Sequence, residues 1–164
     1  MGVGKTTTCR KLQKLLPNCV FLDGDWCWDA DPFVVTGETK MMVENNIGYM
    51  LNSFLSCSAY ENVVFCWVMH EEAIIDKLLS MLRDNGYNLY KFSLVCSESA
   101  LKSRLQKDIA DGVRADNGVI ERALPRLENY MKMNTVKIDV SGISADQAAK
   151  IMTKHIYEGH SCPR

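Results

Sequence analysis

The chain opens Met1-Gly2-Val3-Gly4-Lys5-Thr6-Thr7, and an amphipathic stretch follows at once, from about Lys5 to Leu16, with Cys9, Leu12, Leu15 and Leu16 on one side. Pro17 stops that stretch, because its ring cannot continue a helix. Met1 to Thr6 match the last six positions of the pattern G-x-x-x-x-G-K-[ST], with a helix in the right place behind them. The physical chemistry of this arrangement is anion binding. Glycines let backbone N–H groups come close to an anion, and the front of a helix adds favourable partial charge. Gly2, Val3, Gly4, Lys5, Thr6 and Thr7 are therefore expected to wrap a polyphosphate. Lys5 is placed to meet its β- and γ-phosphates, and the Thr6 hydroxyl to help hold Mg²⁺.

Working outward, the rest of the sequence alternates between two hydrophobic periods. Cys19 to Leu22 is a short apolar strand ending in Asp23-Gly24-Asp25, and residues 26 to 37 read as a loop. Val43, Ile47, Met50, Leu51, Phe54 and Leu55 recur at helical spacing between about Glu38 and Ala59. Val63 to Met69 is a continuous apolar run, as expected of a strand covered on both faces. Ile74, Ile75, Leu78, Leu79 and Leu82 form a helical stripe that closes near Gly86, and Leu89 to Cys96 is a further strand. Leu101, Leu105 and Ile109 mark another helix. After a polar break at Asp111 to Gly118 comes a helical stretch from about Val119 to Met131, which Pro125 must kink or divide. Val136 to Val140 is the last strand, and Ser144 with Gln147 has the spacing of a capping box at the front of the closing helix. Strands separated by helices imply a three-layer α/β/α fold with a parallel sheet, its ligands gathered at the carboxyl ends of the strands. A single domain over residues 1–157 with a loose tail at 158–164 is expected.

Composition is consistent with that architecture. The 164 residues are 47% hydrophobic and 24% charged, with a formal net charge of −1. That average balance offers no nucleic-acid or anionic-membrane surface, and no apolar run has the length of a membrane span. The seven cysteines form no C-x-x-C pair, and several lie in apolar stretches, where a free thiol behaves as a small hydrophobe. Zinc ligation and a disulfide scaffold are both poor readings, and the reducing cytoplasm fits best. The opening residues have no secretory pattern.

The opening motif, the helix behind it and the alternating pattern resemble the P-loop nucleoside-triphosphate-binding superfamily. The resemblance covers essentially the whole chain in element order. In such folds the phosphate loop is fed by a central apolar strand, which this sequence lacks, as it lacks the first glycine of the pattern. Several buried side chains at about 1.5–3 kcal/mol each are comparable with the ~5–15 kcal/mol that stabilises a domain. The expectation is that Met1 is an internal methionine of a longer protein. The rival expectations are that the sheet closes without the strand, or borrows one from another chain.

Phe21-Leu22-Asp23-Gly24-Asp25 resembles the corresponding turn of gluconate kinases and adenylylsulfate kinases, and shikimate kinases have a similar D-x-D. The resemblance implies Asp25 as the base or acceptor-hydroxyl ligand and Asp23 as part of the Mg²⁺ shell. Phosphoryl transfer needs positioning, and a base near the nucleophile, more than covalent help. Trp26 and Trp28 follow in a polar loop, where they either wall an acceptor pocket or pack beneath the loop. The His-Pro element of gluconate kinases is missing, which counts against gluconate.

The segment from Arg104 to Arg126 resembles the mobile lid of nucleotide kinase-like proteins, whose arginines neutralise charge on the transferring phosphoryl group. Arg114 lies in the polar break. Arg122 and Arg126 are four residues apart, a spacing that either turns both to one ligand or makes a solvated face. Val136-Lys137-Ile138-Asp139 fails the [NT]-K-x-D guanine signature at its first position, which argues against a GTPase, and residues 140–143 are expected beside adenine by analogy. His70, after the third strand, is a candidate by position alone. The combined expectation is an ATP- and Mg²⁺-dependent kinase acting on a small-molecule or nucleotide acceptor, with the arginine arm favouring the nucleotide kinase-like type. A nucleotide-binding module without transferase activity and an inactive truncated fragment are the alternatives. Nothing in the sequence specifies the oligomeric state.

Overall fold

The computed structural model describes residues 2–159. Four short strands, β1 (Cys19–Asp23), β2 (Asn62–Cys66), β3 (Phe92–Val95) and β4 (Val136–Asp139), alternate with helices. The helices are α1 (Lys5–Leu15), α2 (Gly37–Leu55), α3 (Glu72–Ser80), α4 (Glu98–Ala110), α5 (Val119–Ala123), α6 (Arg126–Lys132) and α7 (Ala145–Tyr157). Their ends follow local chemistry. The Thr36 hydroxyl accepts the Thr39 N–H in front of α2, and Ser97 does the same for Ala100 in front of α4. The capping box of Ser144 and Gln147 forms in full. No helix among the described residues is long and apolar enough to cross a membrane.

Side chains on the strands alternate between two cores, as the two-residue period of a strand requires. Phe21, Val64, Cys66 and Ile138 point to one face, where they meet Cys9, Leu12 and Leu16 of α1 and its end, and Ala148, Ala149 and Met152 of α7. Leu22, Val63 and Phe65 point to the other face, against Val43, Ile47 and Leu51 of α2 and Leu78 of α3. A third cluster joins Leu101 and Leu105 of α4 to Val119 and Ala123 of α5, with Val3 packed against it. The chain is thus a three-layer α/β/α fold with parallel strands. All six described cysteines are free. Contact with the Cys9 thiol and burial push the Cys66 thiol well above the usual range.

The sheet is in two pieces. β1 pairs in parallel with β2, from Cys19 opposite Asn62 to Asp23 opposite Cys66. β3 pairs in parallel with β4, from Phe92 opposite Val136 to Val95 opposite Asp139. Among the described residues β2 and β3 are not hydrogen-bonded to each other, so the sheet does not close. A cavity of about 650 Å³ runs along both of them, lined by residues of β2, β3, α1 and α4 together with Leu89 and Met152.

Several elements differ from what periodicity predicts, for identifiable reasons. β2 stops at Cys66 rather than Met69, because its partner β1 turns away after Asp23 into a 3₁₀ turn, Gly24–Trp28. That turn occupies part of what reads as loop in the sequence. β3 begins at Phe92 rather than Leu89, since its partner begins only at Val136. α2 ends at Leu55, four residues short of Ala59, where Ser56 closes it. Pro125 divides the stretch after Gly118 into α5 and α6. Of the expected tail, residues 160–164 lie outside the described residues, as does Met1.

Candidate functional site

The front of α1 presents backbone that no side chain caps. Gly4 takes the left-handed conformation (φ 86°) as the residue before the helix. Gly4 accepts the Thr8 N–H at 2.9 Å, which leaves the preceding amides without an intrahelical acceptor. Gly2 is also left-handed (φ 75°), and a Cβ there would lie 2.7 Å from Cδ2 of Leu105. Glycine at this position thus answers both to backbone conformation and to the close approach of α4. Lys5 is half-exposed and makes no ion pair among the described residues, while Thr6 and Thr7 are exposed.

The acidic turn meets this loop directly. The Thr6 hydroxyl donates to Oδ2 of Asp23 at 2.7 Å, across 17 residues of sequence. Asp23 ends β1 with 5% of its surface exposed, and its other oxygen accepts the Asp25 N–H at 3.2 Å. A hydroxyl and a carboxylate held together at the carboxyl end of a strand are a hard-oxygen pair of the kind Mg²⁺ prefers. Asp25 is exposed, and its carboxylate makes no hydrogen bond among the described residues.

Gly24, between the two acids, has a reason the sequence does not show. A Cβ there would sit 2.5 Å from Cγ of Trp67, whose indole packs under the turn from the end of β2. Overpacking of this kind costs about 1–3 kcal/mol. Gly24→Ala is expected to lower the denaturant midpoint accordingly, and adding Trp67→Leu should recover part of the loss. Equal midpoints for Gly24→Ala and the parent would show that Trp67 does not hold the turn.

The tryptophans part company. Trp26, 50% exposed, packs edge-on against Phe21 at 5.3 Å, and the Arg10 guanidinium lies 4.7 Å from the Phe21 ring and 4.8 Å from the Trp26 ring. Trp28 stacks at a tilt on Phe33 at 4.8 Å and is partly buried against α2. The Arg10 stack is a cation–π arrangement that the helical pattern alone does not signal.

The arginines are dispersed. Arg114 Nε lies 3.6 Å from Oδ2 of Asp108, across the turn that ends α4. Arg122 sits on α5 and donates to the Asn117 carbonyl at 2.5 Å and to its side-chain oxygen at 2.8 Å. Arg126 opens α6, so Pro125 places the two arginines on different helices despite their spacing. Arg126 lies near His70, and burial, together with that positive charge, lowers the His70 pKa, with Glu71 opposing at 3.4 Å. The loop after β4 is braced: Asp139 accepts both the backbone N–H (2.8 Å) and the hydroxyl (2.6 Å) of Ser141, which hold its pKa down. Arg104 donates to the Val140 carbonyl at 2.5 Å, and Val140 itself is buried in the core. Arg104 therefore ties α4 to that loop. Its place at the start of the arm gives the sequence-level hint, but its partner is a backbone atom.

A glycine-bearing loop at the front of a helix, an acidic turn bonded to it and a parallel three-layer core define a fold of the P-loop type. The chain belongs to the AAA domain family, whose model matches residues 1–124. Solved structures share the fold. A gluconokinase from Sinorhizobium meliloti 1021 is 20% identical with a TM-score of 0.64, the match covering 96% of this chain and 91% of that one. A sugar kinase from Janibacter sp. HTCC2649 is 13% identical with a TM-score of 0.69, covering 96% and 90%. The tunicamycin resistance protein of Deinococcus radiodurans is 18% identical with a TM-score of 0.59, covering 96% and 93%. No curated protein matches the sequence.

Proposed function

We propose that the chain is an ATP-dependent phosphotransferase that moves the γ-phosphoryl group to an oxygen of a small molecule or nucleotide. The observation that carries this reading is the 2.7 Å hydrogen bond from Thr6 to Asp23, which ties the phosphate loop to the acidic turn. In this reading the amides of Gly2 to Thr7 and the Lys5 ammonium grip the phosphates. Thr6 and Asp23 are the residues that would hold Mg²⁺, which when bound neutralises charge on the phosphate oxygens. Asp25 takes the proton from the acceptor hydroxyl as its oxygen bonds to the γ-phosphorus and the bond from that phosphorus to the β–γ bridging oxygen breaks, leaving ADP. Trp28 and the ring of Phe33 stacked on it wall the acceptor, with Trp26 at the rim.

The domain in this proposal spans residues 1–157, and its arm, residues 104–126, closes over the nucleotide. Arg114 and Arg122 then exchange Asp108 and Asn117 for phosphate oxygens, and Arg126 meets the acceptor side. The gluconokinase and the sugar kinase among the similar structures favour a hydroxyl acceptor over a nucleotide. The absence of membrane-length helices among the described residues is compatible with the cytoplasmic setting proposed here.

The open edges of β2 and β3 favour a second reading, in which the chain has the parts of the site but does not turn over alone. Calorimetric titration with Mg·ATP and an ADP-release assay across a panel of hydroxyl acceptors separate the readings. A kinase binds ATP and releases ADP only when its acceptor is present. A binding module binds and hydrolyses slowly regardless of acceptor, and an inactive chain does neither.

A further inference from the structure

The segment between the acidic turn and α2 presents apolar side chains to solvent. Phe33 is 61% exposed, and Val34 and Val35 are about half exposed. The segment is nevertheless held in place. The Thr39 hydroxyl donates to the Val34 carbonyl at 3.0 Å, and the Thr36 N–H donates to the Thr39 hydroxyl at 2.8 Å. The Phe33 ring stacks on Trp28 at 4.8 Å. Consecutive apolar side chains kept out of the core on a braced backbone mark a surface that a ligand or partner covers. Trp28 ends the 3₁₀ turn that also holds Asp25, so this surface is continuous with the proposed acceptor position.

Charge narrows what can lie there. Residues 25–38 hold Asp25, Asp29, Asp31 and Glu38, and no lysine, arginine or histidine. All four acids are exposed, and none makes an ion pair among the described residues. The Arg10 guanidinium, from α1, lies over the Trp26 ring and donates to Gln13. A carboxylate or phosphate on the acceptor would meet like charge, with no cation of this segment to offset it. A polyol could donate to the acids, but it would leave Phe33, Val34 and Val35 uncovered. Resting on the reading of Asp25 as the base, we propose that the acceptor is a hydroxyl compound with a flat apolar body and no anionic group. The body lies on Phe33, Val34 and Val35, and the hydroxyl reaches Asp25. This class excludes sugar acids and nucleotides.

The test measures binding apart from turnover, so that this proposal and the kinase reading fail separately. The probe is indole-3-ethanol, a neutral alcohol on a flat apolar body, compared with glucose and gluconate. Each is titrated calorimetrically into the whole chain with Mg·ADP present, and ADP release is followed with Mg·ATP. Indole-3-ethanol is expected to bind about tenfold or more tightly than either sugar. Phe33→Ala should weaken it by about tenfold, whereas Phe33→Tyr, which keeps the ring, should not. Because the Phe33 side chain is largely exposed, the fold does not depend on it. No binding of indole-3-ethanol, equal or tighter binding of a sugar, or indifference to Phe33→Ala would overturn the proposal. Binding that depends on Phe33 without ADP release would uphold the apolar ligand and count against the kinase reading. Self-association of the parent that Phe33→Ala abolishes, measured by sedimentation, would put a second copy on this surface and overturn the proposal.

Discussion

Asp25→Asn is expected to reduce acceptor-dependent ADP release by about 10²–10⁴-fold, the usual contribution of a positioned general base. The substitution preserves shape and removes only the capacity to take a proton. Because the Asp25 carboxylate makes no hydrogen bond among the described residues and is exposed, the fold should not register the change. ATP affinity should stay within about twofold of the parent, since a group that acts on the acceptor contributes little to the nucleotide ground state. The combination separates the base from its neighbour: Asp23→Asn alters the group that Thr6 bonds at 2.7 Å, and should weaken Mg·ATP binding as well as turnover. Turnover by Asp25→Asn equal to that of the parent would remove the base from Asp25. Loss of binding and turnover together would make it a ligand of the nucleotide instead.

The second large effect is on binding. Lys5→Ala is expected to weaken ATP by about 10- to 150-fold, the equivalent of the ~1.5–3 kcal/mol of a hydrogen bond to a charged group. Lys5 has no ion-pair partner among the described residues, so its ammonium is available to a ligand and its loss leaves no buried carboxylate unpaired. The thermal midpoint without nucleotide should therefore stay close to the parent value, whereas the rise in midpoint on adding Mg·ATP should shrink. Lys5→Arg tests geometry separately from charge, because a planar guanidinium does not replace a compact ammonium at a fixed distance from two phosphates. Undiminished ATP affinity in Lys5→Ala would take the phosphate-loop role away from this residue.

The arm supplies a contrast with these two positions. Lys5 adjoins Thr6 and Asp25 follows Asp23 by two residues, so in sequence both flank the pair joined by the Thr6–Asp23 bond, near where the γ-phosphate is proposed to lie. Arg114 and Arg122 are occupied by Asp108 and Asn117. Their effect on ground-state ATP affinity should therefore be smaller than their effect on turnover, as for groups that reach the phosphoryl oxygens only after a segment moves.

Much of this protein can be read from one-dimensional patterns because the physics behind them is local. A proline ends α1 at Pro17 and divides α5 from α6, a hydroxyl and an amide three residues apart cap α7, and two glycines with a lysine at a helix front are the pattern on which the proposed phosphate loop rests. The alternation of helical and strand periods determined the three-layer parallel fold, since each element has to bury its apolar side. What required the folded chain depended on partners far apart in sequence. Strand ends followed the neighbouring strand, so β2 and β3 came out shorter than their apolar runs. Gly24 answered to Trp67, Thr6 to Asp23 and Arg104 to the Val140 carbonyl, and none of these pairs has a spacing that sequence reading can exploit. Whether the sheet would close was also decided in three dimensions. A hydrophobic pattern says that a strand is buried, but which backbone edges find hydrogen-bonding partners is settled only when all the strands are in place.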